Sequence, residues 1–336
     1  MKLSDLDFSY PESLVATEPR SPSRVMKVVG SVPNEITFAE LVASIPAGDV
    51  LVLNNTKVLK RRVFSNDLEI LFLKQISDLE WEVLFPSKKF KLGESIPLPE
   101  GESMFLTQKG RPQRVQVSTV LTETYFQRNG ELPLPPYIQK ARQARHTVDA
   151  DESWYQTVFA KKEGSFAAPT ASLHFKEKDL ESLRARGVKI VELTLHVGLG
   201  TFLPVTAEDL DQHDMHEEYV EIPHETWSEI QKAKKQGHRV WTLGTTATRS
   251  VESAAKGLLK VSDSGDFSGF TKLLIQPGYQ WAVCDVLMTN FHQPQSTLLA
   301  LVSGFSSLET VKACYQWAIE RNFRLFSYGD LSVWER

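Results

Sequence analysis

The stretch His213-Asp-Met-His-Glu-Glu-Tyr219 packs two histidines and three acids into seven positions. Neutral imidazoles and carboxylates with environment-tuned pKa values move protons. A His-x-x-His pair with a further donor can instead hold zinc. His213 and His216 lie three apart, so a helical turn puts both on one face, with Met215 packed inward. Two chemistries follow: an acid–base pair of His216 and Glu218, or a metal-dependent hydrolase in which His196 or Glu218 completes a site begun by His213 and His216.

Other polar clusters sit where apolar runs end. Asn54-Asn55-Thr56 closes DVLVL. Leu195-His196-Val197-Gly198-Leu199-Gly200-Thr201-Phe202 follows a second run, and its two glycines admit close backbone approach. Gly244-Thr245-Thr246-Ala247-Thr248-Arg249 joins a third run to a helix. Its N–H groups and Arg249 suit a carboxylate or phosphate, unless Arg249 pairs with Glu252 on the same helix. Thr289-Asn290-Phe291-His292 ends a fourth run, before Pro294 and an N-cap at Ser296. Such clusters meet only if their strands are parallel neighbours in one sheet, where ligands collect beyond the carboxyl ends.

The periodicity supplies that sheet. Beyond residue 175 helix and strand alternate: KEKDLESLRAR, then VKIVELTLHV; HETWSEIQKAKKQ, then HRVWTLG; TTATRSVESAAKGLL, then KLLIQPG and WAVCDVLMTNF. STLLALVSGF and LETVKACYQWAIERN read as helices before a final strand, FRLFSYGD. From Val63 to about Val120 short β-like runs dominate, with one uncertain helix near 119–128. Leu132-Pro-Leu-Pro-Pro136 is a stiff connector, and QKARQARHTVDADES reads as loop. The fold expected is α/β: a layered domain formed by both chain ends, 1–58 and 150–336, interrupted by a small β-barrel domain over 59–149.

Composition narrows the function. No G-x-x-x-x-G-K-[ST] and no G-x-G-x-x-G after a strand occurs. Cys284 and Cys314 are too few for a disulfide framework and read as buried hydrophobes. The start MKLSDLDFSYPESL is no signal peptide and no run approaches a membrane span, so a cytoplasmic, non-membrane protein is expected. Net charge is −4, yet residues 57–146 carry 15 Lys plus Arg against 10 Asp plus Glu. Within them Lys60-Arg61-Arg62 and Lys88-Lys89-Phe90-Lys91 suit phosphates or form a solvated face. A non-catalytic RNA-binding module is therefore a third reading. Oligomeric state is left open.

Several strings occur together and in order: LVLNNTKV, PLPPYI, YQTVFAKKEGSFAAPTASLHF, LTLHVGLGTFLPV, HDMHEEY, GTTATRSVES, PGYQWAVCDVLMTNFHQPQSTLLALVS and FSYGD. With them the chain closely resembles, nearly end to end, the S-adenosylmethionine:tRNA ribosyltransferase-isomerase family of queuosine biosynthesis. The resemblance implies transfer and isomerisation of the ribosyl part of S-adenosylmethionine onto 7-aminomethyl-7-deazaguanine at the tRNA wobble position. Epoxyqueuosine forms, and adenine and methionine leave. S-adenosylmethionine is then a consumed substrate, and no cofactor or metal is expected.

With that substrate, His174, His196, His216, Glu218 and His292 are the candidates for proton transfer. Asn54, Asn55, Thr56, Thr170, Gly198, Gly200, Thr201, Phe202, Tyr219, Thr245, Thr246, Arg249 and Asn290 are the candidates for substrate binding. Tyr155, Phe202, Tyr219 and Tyr279 could face the sulfonium. The basic insertion and its connector would hold the anticodon arm through Lys60, Arg61, Arg62, Lys88, Lys89 and Tyr137. Three departures from the family pattern stand out: Ser172 replaces a usual Gly, Lys60-Arg61-Arg62-Val63 replaces Pro-Ala-Arg-Leu, and the first hairpin of the insertion is cut to Ser65-Asn66-Asp67.

Overall fold

A computed structural model describes residues 1–198, 200, 205 and 207–336. Thr201 and Phe202 lie outside the described residues. At the centre four strands run parallel in the order Lys189–His196, Val50–Asn54, Val240–Leu243 and Val286–Asn290. The last three are buried at every residue, as befits parallel strands covered on both faces. Leu331–Glu335 runs antiparallel to Val286–Asn290, and the hairpin Arg24–Val29/Val32–Thr37 extends that edge. Glu218–Ile222, Phe267–Thr271 and Lys260–Val261 extend the other edge antiparallel. The N-terminal hairpin thus sits in the same ten-stranded sheet as the C-terminal half.

Alternation along the central strands divides the core. Leu51, Leu53, Trp241 and Leu243 pack with Leu180 and Leu183 of the Glu177–Ala185 helix. Val50, Val52 and Val240 pack with Ile230 of the His224–Lys235 helix and Val251 of the Thr245–Ala255 helix. Thr297–Phe305 and Leu308–Glu320 cover Leu287, Trp334 and Met26.

The insertion is a seven-stranded antiparallel sheet curled into a half-barrel, with Gly130–Glu131 and Ser95–Pro97 at its ends. Phe72, Trp81 and Phe126 meet edge to face in its core. Its helix is Glu123–Asn129, capped by Thr122. The short first hairpin turns through Asn66 at φ 52°, a left-handed value that Asn tolerates.

Some elements fall elsewhere than the sequence reading places them. The strand expected over KLLIQPG is Phe267–Thr271, because there alternate residues can register against Glu218–Ile222. The last strand is Leu331–Glu335, not FRLFSYGD. The FSYGD segment turns instead, with buried Asp330 accepting hydrogen bonds from Arg20, Arg24 N–H and Arg324 N–H. The segment read as loop after the connector overlaps the helices Pro136–Arg142 and Asp151–Trp154. Pro136 occupies the first turn, where its missing N–H costs nothing.

Arg61 and Arg62 are not free to meet RNA. Both are buried, Arg62 at 1% exposure. Arg61 pairs with Glu123 and lies 4.2 Å over the Phe126 ring. Arg62 bonds Glu69 at 2.8 Å and Gln139 at 3.0 Å, and lies 4.7 Å over Phe64. Planar, weakly hydrated guanidinium groups tolerate such burial, so here they tie the insertion together. Lys60 pairs with Glu152 across the junction, whereas Lys88 and Lys89 are exposed. Arg62→Ala should therefore lower unfolding stability by about 2–4 kcal/mol, since it strands partly buried carboxylates. Denaturant titration measures this, and the variant's RNA salt slope should stay at the wild-type value.

Candidate functional site

The four parallel strands end on one rim, where a cavity of about 460 Å³ opens. That size suits a small-molecule ligand. Thr170, Gly200, His216, Glu218, Thr245, Thr246, Arg249, Asn290 and His292 line it, as do His213 and Met215. Tyr137 and Tyr155 close one side beside Phe326 and Ser327. His174, His196, Asn54, Asn55, Thr56, Gly198 and Tyr219 are not among the lining residues.

The floor is a buried ion pair. Glu218, at the start of its strand, bonds Arg249 in the second turn of the Thr245–Ala255 helix. Arg249 also donates from Nε to the Leu273 carbonyl at 3.1 Å, while its buried Nη2 has no partner among the described residues. The Arg249–Glu252 pair is not formed. Glu252 is buried and accepts from the N–H groups of Ala282, Val283 and Cys284 and from Tyr279 Oη, which also removes Tyr279 from the cavity. Arg249 thus stands below a helix N-terminus, where Gly244 N–H is taken by the Met288 carbonyl and the N–H groups of Thr245 and Thr246 favour negative charge.

HDMHEEY forms no helical turn. Residues 213–217 are irregular chain between a short turn and the Glu218–Ile222 strand. His213 and His216 nevertheless both reach the cavity. Burial, then the neighbouring His216, pushes the His213 pKa down. A Cβ on Gly200 would come within 2.6 Å of the His216 ring, so only glycine lets the two meet. Among the described residues no three His, Cys, Asp or Glu side chains are grouped to hold a metal ion.

His174 stands behind the cavity. Ser23 Oγ donates to the Arg20 carbonyl at 3.2 Å, so His174 Nδ1–H donates to Ser23 Oγ at 2.6 Å. His174 Nε2 then accepts from Asn290 Nδ2 at 3.1 Å. That fixes the Asn290 amide, whose buried Oδ1 lacks a partner among the described residues. Burial lowers the His174 pKa to about 4 against the pull of Asp330. Burial also takes His292 to about 3, with Nε2 held by Thr289 Oγ1 at 2.8 Å. Both rings are neutral near pH 7.

The first strand end is scaffold. Asn54 Nδ2 donates to the Leu195 carbonyl at 3.0 Å and Thr246 Oγ1 at 3.1 Å. Its Oδ1 accepts from Leu195 N–H at 3.0 Å and Thr56 N–H at 3.2 Å. Asn55 is bonded to Glu192 and Thr194, and Thr56 Oγ1 to His196 Nδ1 at 2.8 Å. The Asn54 amide, with both donors and both acceptor sites used, has nothing left for a substrate. Gly198 N–H points to Glu218 Oε1 at 3.4 Å. Tyr137 Oη meets Ser327 Oγ in the cavity wall, and burial pushes its pKa up to about 12. Ser172, in the usual Gly position, is fully buried with its hydroxyl unpartnered among the described residues. Sequence reasoning missed Ser23 and Ser327, although FSYGD contains Ser327.

Fold and site together define an α/β protein with a charged ligand cavity at the carboxyl rim of parallel strands. The family model described as queuosine biosynthesis protein matches residues 3–333. An S-adenosylmethionine:tRNA ribosyltransferase-isomerase of Staphylococcus haemolyticus is 40% identical over 98% of both chains. One from Desulforamulus reducens is 42% identical over 98% of both. The crystal structure of S-adenosylmethionine tRNA ribosyltransferase from Thermotoga maritima is similar at a TM-score of 0.56 and 26% identity, covering 98% of this chain and 99% of that one. The chain belongs to the queuosine biosynthesis family of S-adenosylmethionine:tRNA ribosyltransferase-isomerases.

Two outcomes are expected. Gly200→Ala should displace His216 and lower kcat/KM by more than tenfold, with thermal stability nearly unchanged. His174 and His292 have depressed folded pKa values, so the unfolded chain binds more protons below pH 6.5. Their stabilisation is full above that pH and is lost as pH falls toward 4 and then 3. His292→Gln should flatten the pH dependence of unfolding by roughly 1.4 kcal/mol per pH unit between those limits, as read by denaturant titration across pH.

Proposed function

We propose that the cavity binds S-adenosylmethionine and transfers its ribosyl moiety, isomerised to an epoxycyclopentane, onto 7-aminomethyl-7-deazaguanine at the wobble position of tRNA. Epoxyqueuosine is formed, and adenine and methionine are released. The observation that carries this reading is the meeting, in one cavity of about 460 Å³, of a buried Arg–Glu pair, a helix N-terminus and the imidazoles of His213, His216 and His292. The family of the chain supports the same reading.

The roles follow from chemistry. The methionine carboxylate is placed against Arg249 Nη2 and the N–H groups at Thr245 and Thr246, where positive charge is held without a counter-ion from solvent. Glu218 fixes Arg249, and its negative charge lies near the sulfonium. The sulfonium acidifies the adjacent carbon, and His216, at the wall beside Gly200, takes that proton as an imidazole base. Asn290 Oδ1 is an acceptor for an N–H or O–H of the nucleoside. His174 acts through Asn290, not on the substrate. His292, neutral, is the second imidazole at the wall and can hydrogen-bond the departing adenine without transferring a proton to it. Substrates are tRNA and S-adenosylmethionine, with no metal or other cofactor. No helix among the described residues is long and apolar enough to cross a membrane, and the cytoplasm is the compartment that fits tRNA modification.

Incubation with S-adenosylmethionine and tRNA bearing the aminomethyl-deazaguanine tests the proposal. Adenine should appear stoichiometrically with modified tRNA, and its absence with both substrates bound would overturn the reading. His216→Ala should cut turnover by roughly 10²–10⁴-fold, and near-normal turnover would remove His216 from the base role. Chelator-treated protein should keep its rate; a loss restored by zinc would reinstate a metal mechanism.

A further inference from the structure

His196 and Tyr219 face away from the cavity, and their positions define a second surface. Tyr219 is registered opposite His196 on one neighbouring strand and opposite Phe270 on the other. Directly opposed residues of antiparallel strands share a face, so three rings form a row across three strands. His196 and Tyr219 stack with planes 15° apart and centroids 6.4 Å apart, and Tyr219 and Phe270 lie 5.3 Å apart at 60°. Phe270 is 60% exposed. The adjacent row on the same face runs Thr194, Glu221, Ser268 and Lys260. Glu221 is taken up by Lys162, while exposed Lys260 makes no ion pair among the described residues.

The sheet does not need a ring at position 270, since a phenylalanine mostly in water contributes little to the core. A stable protein interface buries about 800 Å² per partner. Three rings bordered by the Lys162–Glu221 and Lys57–Glu163 pairs offer far less apolar surface. A short aromatic row beside one unpaired cation is instead what unpaired nucleobases recognise: rings for the bases, an ammonium group for a phosphate. Tyr219 directly follows cavity-lining Glu218 on the strand and points to the other face. The row therefore starts one residue from the cavity wall.

We infer that the His196–Tyr219–Phe270 row is a stacking platform for unpaired bases of the RNA substrate, holding loop nucleotides that flank the one entering the cavity. The inference rests on the proposed ribosyl transfer to tRNA and adds the surface that reads its single-stranded part. Lys260 supplies a phosphate contact beside the platform.

The test uses the full chain and an anticodon stem-loop RNA, with Phe270→Ala, Phe270→Leu, Phe270→Trp and Lys260→Ala. Replacing the ring by Ala or Leu should weaken stem-loop binding roughly 5- to 100-fold. S-adenosylmethionine affinity and the salt slope should not change. Phe270→Trp should keep the affinity and show fluorescence quenching on binding. Lys260→Ala should instead reduce the salt slope by roughly 0.7. Wild-type RNA affinity in both Phe270→Ala and Phe270→Leu overturns the platform, and a changed oligomeric state in the same variants would assign the row to a protein contact. Ring-dependent RNA binding without adenine release by the wild type would leave the platform standing and sink the ribosyl-transfer reading.

Discussion

The four hydrogen bonds of the Asn54 side chain hold together the rim on which the cavity opens. They join the end of one central strand to Leu195 on its neighbour and to Thr246 at a helix N-terminus. Parallel strands must leave their last N–H and C=O groups unpaired at the rim, and buried polar groups need partners. An amide, with two donors and two acceptor sites, satisfies several of them at once. Removing it would loosen the strand that leads to His196, Gly198 and Gly200 and the helix that carries Arg249. The cavity wall would then have no fixed reference.

The same economy recurs at the junction with the insertion. Buried Asp151 accepts from Arg142, Val148 N–H and Tyr328 Oη, tying the connector helix to the FSYGD turn. Tyr137 and Ser327 continue that contact into the cavity wall. The insertion is thus attached through the segments that also shape the cavity, by charged groups whose removal leaves a partner stranded in a dry place.

Four histidines show how environment divides one residue type. His174 is enclosed, neutral and occupied with Ser23 and Asn290. His292 is enclosed and held by Thr289. His196 faces the outer side of the sheet beside Thr56 and Tyr219. His216 reaches the cavity from irregular chain against a glycine, with His213 beside it. Imidazoles equally suited to acid–base work by composition end in a supporting position, a wall, a surface row and a cavity.

The alternation of apolar and polar residues settled the layered α/β fold, the β-rich insertion and the four polar strand ends, because burial of one face is a local, periodic property of the chain. Thr245, Arg249 and Asn290 were legible for the same reason, since each follows an apolar run or begins a helix, whereas His216 and Glu218 stood out by the composition of HDMHEEY. What the chain pattern does not encode is direction and partner. Arg61 and Arg62 looked like a phosphate patch, yet Glu123, Glu69 and two aromatic rings claim their charge from distant positions. Arg249 passes over Glu252, three residues along its own helix, for Glu218 thirty-one residues away. His196 and Tyr219 lie near the rim in sequence and on its far side in space, since the pleat sends successive side chains to opposite faces. Residue type and period decide which strands form and where they end. Only the packed sheet decides which side chains share a cavity, because that depends on register between strands far apart in the chain.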